Sequence, residues 1–167
     1  MFYKVLSCIL AIALIAVIIY LIVSQVKEHL STKDPVLHDL KNTLRDTLEK
    51  TENLCLSKSN CMLKDRIREK GGIQKCLDDV SLHSGSKSFT INKKKIYLCL
   101  KDENGKYYDK NMLIYVFTHE LAHVLSESIG HTEEFHQIFE ELLKCLAEQK
   151  KYDPNKPLVQ NYCEYSI

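Results

Sequence analysis

The chain has 167 residues, of which 45% are hydrophobic and 27% are charged. Lysine and arginine number 23 against 22 aspartate and glutamate, so the formal charge of +1 provides no overall field that would attract nucleic acid or an acidic substrate. Five glycines and three prolines exclude both a disordered and a fibrous composition. After a membrane segment is set aside, about 140 residues remain, which suits one compact domain.

The first apolar run predicts a membrane span. Residues Val5 to Val23 carry no charge, and at about 1.5 Å per residue they extend close to the roughly 30 Å of a bilayer core. A cleaved signal peptide is the alternative, but its apolar core is shorter and ends at a small-residue cleavage site. We predict a single-pass anchor over residues 1–23 and a polar juxtamembrane linker over residues 24–33. Lysines on both sides of the span leave its orientation open.

Six cysteines follow the span, an even number that is compatible with disulfides. They are Cys55, Cys61, Cys76, Cys99, Cys145 and Cys163. The pairs Cys55–Cys61 and Cys145–Cys163 are predicted because each would close a short loop, and buried free thiols are the alternative. The chain has no C-x-x-C pair, so neither a zinc ribbon nor a thioredoxin-like motif is expected.

The domain is predicted to occupy residues 34–167 and to begin with an amphipathic helix. Asp34 and Pro35 suit the N-cap and the first helical position, and leucines then recur every three or four residues to about Lys50. These leucines are Leu37, Leu40, Leu44 and Leu48. The stripe spans too few heptads for a coiled coil, so we expect it to face the core. A second helix is predicted over residues 62–70, before a Gly-Gly pair.

A β-hairpin is predicted next. Two β-prone runs, Phe89–Ile91 and Ile96–Leu100, flank a polar turn, and Asn104-Gly105 marks a further turn. The three lysines at residues 93–95 could be interpreted as an anion-binding site. A lysine run at a hairpin tip is typically a solvated turn, which is the interpretation favoured here.

The chain becomes helical again after Asp109, the expected N-cap of a nearly continuously apolar helix. Gly130 is predicted to end this helix, which should lie at the centre of the domain. Thr132 is the expected cap of the following amphipathic helix, which presents Phe135 to the core. The tail from Tyr152 is predicted to be extended and to pack across the domain. The fold class predicted is α+β, with a short sheet or hairpin beside the apolar helix.

The apolar helix contains His119-Glu120-Leu121-Ala122-His123, an H-E-x-x-H motif. Residues four apart share one helix face, so both imidazoles can reach the same zinc ion. Glu120 lies about 100° around the helix, where it can act as general base toward a zinc-bound water. The alternative is that both histidines are hydrogen-bonded core residues. The glutamate between them and the buried helix around them favour zinc.

A catalytic zinc needs a third protein ligand and one open position. His131 is the predicted third ligand, because it follows Gly130, where the helix is expected to break and the chain to turn back. His136, one turn into the next helix, is a rival. Glu140 or Glu141 would serve a site whose third ligand is a carboxylate.

The stretch from Thr118 to Leu143 resembles the core of the WLM and SprT-like zinc metallopeptidases. In those families H-E-x-x-H is followed by Gly or Pro, a third His and then a Phe on the next helix. The resemblance implies that the zinc ligands are His119, His123 and His131. It also implies that Glu120 is the catalytic base and that Phe135 is a packing residue.

The chain departs from those families in two respects. Seven residues separate His123 from His131, a different spacing from the one common there. The chain also lacks the basic DNA-binding tail of the DNA-repair members and carries a membrane span, so their role in DNA repair is not transferred. A membrane anchor, cysteines and a small peptidase-like core together resemble proteins of large cytoplasmic DNA viruses. Metzincins are a poorer match, because no methionine follows the third histidine.

Two functions are therefore weighed. The first is a membrane-anchored zinc metallopeptidase acting on a protein or peptide, with strand Ile96–Leu100 near the metal to hold the substrate by main-chain hydrogen bonds. The second is a non-catalytic tethered domain with structural or no zinc, serving assembly. Three protein ligands and an open position would favour the first, whereas a closed four-ligand site would favour the second.

Overall fold

The structure is a computed structural model that describes residues 2–51 and 61–164. Six α-helices and three strands occur within these two segments, which gives the mixed α+β architecture that the sequence predicted. The helices are α1 Phe2–Ser31, α2 Pro35–Thr51, α3 Met62–Glu69, α4 Ile73–Asp78, α5 Lys110–Leu125 and α6 Glu133–Glu148. The strands are β1 Ser81–Ser84, β2 Phe89–Ile91 and β3 Lys95–Leu98.

Helix α1 contains the apolar segment for which a membrane span was predicted. Residues Ile9–Ser31 are long and apolar enough that they could cross a membrane. The apolar side chains between Ile9 and Leu30 are exposed, so they take no part in the core of the domain. The helix continues without interruption through residues 24–31, and most of the predicted linker is therefore helical.

Local capping signals correctly predicted the starts of three helices. Asp34 accepts a hydrogen bond from the Val36 amide at 3.0 Å, and Asp109 caps α5 in the same way. Thr132 caps α6 by accepting from the Phe135 amide at 3.3 Å. The four leucines of α2 are all at most 3% exposed, which confirms that the stripe faces the core.

The sheet has the strand order β1-β3-β2, so β3 is the central strand. It runs parallel to β1 and antiparallel to β2, with Ile96 opposite both Leu82 and Thr90. The expectation that Ile96–Leu100 would offer an edge to a peptide is therefore wrong. Both edges of β3 are occupied, and β2 is the edge strand that lies against α5.

Helix α5 is buried at the centre of the domain, as predicted, but it ends at Leu125 rather than at Gly130. The chain leaves the helix at Ser126, whose backbone is extended (φ −63°, ψ 145°). The amides of Glu127 and Ser128 bind a side chain of α6 instead of continuing the helical hydrogen bonds. Gly130 lies in the loop with φ 86°, a conformation that glycine adopts without strain.

The tail crosses the domain and is fixed by a disulfide between Cys99 and Cys163, whose Cα atoms are 6.4 Å apart. The predicted pair Cys145–Cys163 is therefore wrong, because the tail returns to the end of β3 instead of to α6. The predicted pair Cys55–Cys61 lies outside the described residues, since Cys55 belongs to residues 52–60. Cys76 is a buried free thiol, which is the alternative that the sequence left open.

Candidate metal centre

Three histidine rings converge at the C-terminal half of α5. His119 and His123 lie on one face of the helix, with ring centroids 5.0 Å apart. His131, in the loop before α6, lies 4.9 Å from each of them by the same measure. One ligand nitrogen from each ring lies within 4.8 Å of the other two, so the cluster could hold a metal ion.

The ring of Phe135 contacts all three histidine rings. Its ring centroid lies 4.9 Å from His119, 4.3 Å from His123 and 4.8 Å from His131, and its side chain is 1% exposed. The residue comes from the first turn of α6, so the packing of α6 against α5 brings one aromatic ring into contact with all three histidines. Phe135 thus has the packing position that the resemblance implied.

The environment keeps the two helical histidines uncharged. Burial, together with the neighbouring histidines, lowers the pKa of His119 to about 3. Burial, with His131 and Lys93 nearby, lowers the pKa of His123 to about 4. Both rings are therefore neutral imidazoles at neutral pH, which is the form that binds metals.

The cluster is compatible with zinc. Two nitrogens bound to one tetrahedral zinc at about 2.1 Å lie about 3.4 Å apart, and the Nε2 atoms of His119 and His131 are 3.1 Å apart. Neutral imidazoles are also ligands that zinc commonly takes in proteins. Three of them leave one coordination position for water or substrate.

The three rival ligands lie outside this cluster. The ring of His136 is exposed, and its centroid is 6.3 Å from that of His131. Glu141 faces α3, where its carboxylate accepts a hydrogen bond from the Leu63 amide at 2.7 Å. Glu140 is exposed on α6. Among the described residues, only the predicted three form a group suited to a metal.

Glu120 is held by strand β2. Its carboxylate accepts a hydrogen bond from the Thr90 hydroxyl at 2.7 Å, and the same hydroxyl lies 3.1 Å from the Glu120 carbonyl oxygen. The side chain is only 5% exposed, and burial raises its pKa to about 7, although the bond from Thr90 acts in the opposite direction. The sequence did not predict Thr90, because the contact between strand and helix spans 30 residues.

These groups line one cleft of about 670 Å³. Phe89 and Thr90 of the edge strand β2 form one wall, and the loop that carries Ile129 and His131 forms another. Tyr162 of the tail completes the lining. A cleft of this size holds a ligand of several hundred daltons, or a few residues of a peptide.

Lys93 differs from the solvated lysine that the sequence indicated. Its ammonium group donates to the carbonyl oxygens of Glu127 at 3.0 Å and Ser128 at 3.1 Å, and also to that of Ser126. Lys94 is exposed, as expected for a turn. The contacts of Lys93 span more than 30 residues, and the sequence carries no local signal for them.

Three viral proteins are similar to part of the chain. Uncharacterized protein 136R of Invertebrate iridescent virus 6 is 51% identical over 88 residues, which are 51% of this chain and 49% of that protein. Uncharacterized protein 042R of Invertebrate iridescent virus 3 is 47% identical over 87 residues, which are 52% and 55% of the two chains. Uncharacterized protein R325 of Acanthamoeba polyphaga mimivirus is 48% identical over 59 residues, which are 34% and 30%.

The chain thus spans about half the length of the first two curated relatives that it matches. All three relatives come from large DNA viruses. No protein-family model matches the chain, and no solved structure is similar to it.

Proposed function

We propose that the chain is a membrane-anchored zinc-dependent peptidase related to the WLM and SprT-like enzymes. The observation that carries the proposal is the convergence of three imidazoles and one buried carboxylate on a single cleft. His119, His123 and His131 would hold the zinc, and Glu120 follows the first of them in the chain. This combination of groups suits hydrolysis of a carbonyl compound.

A zinc ion bound to the three histidines would polarise a carbonyl group and make water acidic enough to attack it near neutral pH. Glu120 is the group that accepts a proton from the attacking water and returns it to the amine that leaves. The bond from Thr90 orients its carboxylate, so the base does not need to be ordered when substrate arrives.

Edge strand β2 supports a peptide as the substrate. It pairs with β3 on one side, and its residues Phe89 and Thr90 line the cleft that contains the histidines. An extended peptide can add to such an edge by main-chain hydrogen bonds. Its carbonyl groups would then lie beside the metal centre and Glu120.

Helix α1 supports attachment to a membrane. A stretch of exposed apolar side chains over Ile9–Ser31 has the length and composition of a single span. In this proposal the helix anchors the domain, and protein or peptide substrates reach it on one side of the bilayer. The net charge of +1 provides no comparable attraction for nucleic acid.

The test is made with the full chain, purified in detergent after expression in zinc-supplemented medium. We expect the wild type to contain zinc and to cleave casein, a generic unfolded protein, and His119→Ala to lose both properties. Zinc binding without cleavage would favour the non-catalytic tethered domain. A wild type that binds no zinc would contradict the peptidase proposal.

A further inference from the structure

The third histidine of the cluster has a less rigid support than the other two. His119 is buried and His123 half-buried, and both project from α5. His131 is exposed and belongs to the loop between Ser126 and Thr132. The position of its ring relative to the other two therefore depends on the conformation of this loop.

Two charged side chains form hydrogen bonds with the backbone of this loop, one with its carbonyl groups and the other with its amides. Lys93 donates to the carbonyl oxygens of Ser126, Glu127 and Ser128. Glu134 accepts from the amides of Glu127 at 2.9 Å and Ser128 at 3.1 Å. The peptide groups Ser126–Glu127 and Glu127–Ser128 are thus bound by the Lys93 cation at their carbonyl oxygens and by the Glu134 anion at their amides. These contacts fix the peptide groups, because charge-assisted hydrogen bonds are stronger than neutral ones.

The backbone of Lys93 is strained for a lysine. Asn92 and Lys93 occupy the centre of a β-turn that is closed by a hydrogen bond from the Lys94 amide to the Ile91 carbonyl at 3.0 Å. Both central residues have positive φ, 50° and 55°, where a hairpin normally has Asn-Gly. A lysine in this left-handed conformation is less favourable than glycine, so a requirement of the turn does not explain it. The lysine at this position places its ammonium group against the three carbonyl groups of the loop.

We propose that Lys93 is a positioning residue for the metal ligand His131. It acts from the β2–β3 turn, through three carbonyl groups of the loop, and is not itself one of the three metal-binding side chains. This inference rests on the proposed function, since it requires that the histidine cluster binds zinc. Arg66 reinforces the arrangement, because its guanidinium pairs with Glu127 at 2.7 Å and with Glu134 at 3.0 Å.

The experiment compares four variants of the full chain in detergent. They are Lys93→Met, Lys93→Gly, Lys93→Arg and, as the matched control from the same turn, Lys94→Met. Zinc affinity is measured by competition with a chelator, the visible absorption of bound Co²⁺ reports the coordination geometry, and the melting temperature is measured without metal. The glycine variant separates the two roles of the residue, since it relaxes the turn while removing the ammonium group.

We expect Lys93→Met and Lys93→Gly to weaken zinc binding about 10- to 100-fold and to alter the Co²⁺ spectrum, as residues that orient a metal ligand commonly do. Lys93→Arg should remain close to the wild type, because a guanidinium can donate to the same carbonyls, and Lys94→Met should match it. The metal-free melting temperature of Lys93→Gly should be no lower than that of Lys93→Met.

Several results would overturn the inference. If Lys93→Met binds zinc as tightly as the wild type, the loop does not need the lysine. If Lys93→Gly regains the affinity that Lys93→Met loses, the shape of the turn matters and the side chain does not. These outcomes differ from a failure of the proposed function. A wild type that binds zinc but cleaves nothing overturns only the peptidase, whereas a wild type without zinc overturns both.

Discussion

Glu120 and His119 are neighbours in the sequence but have different surroundings. The imidazole of His119 faces two other histidines and Phe135, whereas the Glu120 carboxylate is bonded to Thr90 on β2. The helix separates the two side chains by about 100°, so in the proposed function one side chain can bind the metal while the other stays available for proton transfer. The roles of ligand and base should therefore be separable by mutation.

Replacing Glu120 with Gln should strongly reduce catalysis without removing the metal. Glutamine keeps the shape of the side chain and can still accept the bond from Thr90, but it cannot take a proton from water. Cleavage of casein should fall about 100- to 10,000-fold, the usual contribution of a general base. Zinc content and melting temperature should stay near those of the wild type. If Glu120→Gln loses its zinc, the residue belongs to the coordination shell.

The identity of the third ligand is tested by three histidine variants. His131→Ala should lower zinc occupancy about as much as His123→Ala, because both rings belong to the cluster. His136→Ala is the matched control, since its ring is exposed and outside the cluster, and it should retain zinc. Metal analysis after dialysis measures all three. The opposite order would assign the ligand to His136, and retention of zinc by both His131→Ala and His136→Ala would redirect attention to Glu140 and Glu141.

At the scale of secondary-structure elements, a feature could be predicted from the sequence when the contacts that determine it join residues close together in the chain. The starts of α2, α5 and α6 were predicted because each cap lies within three residues of the amide that it binds. The histidine cluster was predicted for a similar reason, since i,i+4 spacing and a Gly-His pair are local patterns. The same patterns predict a candidate metal site but do not specify the contacts that hold its residues in place.

The incorrect predictions concern features set by distant partners. Strand β1 was not predicted, because it is short and its parallel partner β3 is not the next strand in the chain but follows β2. Helix α5 ends before Gly130, and the residues after it bind Lys93 of the β2–β3 turn, more than 30 residues earlier in the chain, and Glu134 of α6. The disulfide of Cys99 spans 64 residues. No periodicity or turn signal encodes such pairings.

The N-terminal turn of α6 contributes a pH-dependent contact to the loop. Burial alone would raise the pKa of Glu134, but hydrogen bonds from Glu127 and Ser128, with the charge of Arg66, lower it to about 2. Because the folded-state pKa lies below the ordinary value, the stabilisation is present above about pH 5. It is lost as the pH falls through about 4.5 toward 2.

Glu134→Gln should therefore be less stable than the wild type at pH 7, by roughly 1.5 to 3 kcal/mol, the range for hydrogen bonds to a charged group. The difference should shrink as the pH approaches 2, because the wild type then loses the same charge. The free energy of unfolding, measured by denaturant at pH 7, 5 and 3, checks this trend. Glu133→Gln is the matched control in the same turn and should change the pH dependence much less. A difference independent of pH would contradict the assigned contact.

At the scale of the whole molecule, the C-terminal end of α1 and the tail of the domain are both attached to the small sheet. The last turn of α1 contacts β1, since the Ser84 hydroxyl donates to the Ser31 carbonyl at 3.1 Å. Glu28 of the same helix pairs with Lys95 of β3. At the other end, Cys163 is joined to Cys99, and the Tyr162 hydroxyl also binds the Cys99 carbonyl. The sheet thus connects the apolar helix, the cleft and the tail.

The disulfide should stabilise this arrangement and keep the tail against the cleft. Closing a loop of 64 residues restricts the unfolded chain, and disulfides of this kind contribute roughly 2 to 4 kcal/mol. Cys163→Ala should therefore lower the melting temperature by about 5 to 15 °C in the absence of reductant. It should also expose Tyr162, which is 3% exposed in the structure, to proteases that cleave after tyrosine. Cys76→Ala provides a comparison, because it removes a buried thiol without opening the loop and should leave the tail protected from proteolysis. A Cys163→Ala variant as stable and as protease-resistant as the wild type would show that the packing of Tyr162 alone holds the tail.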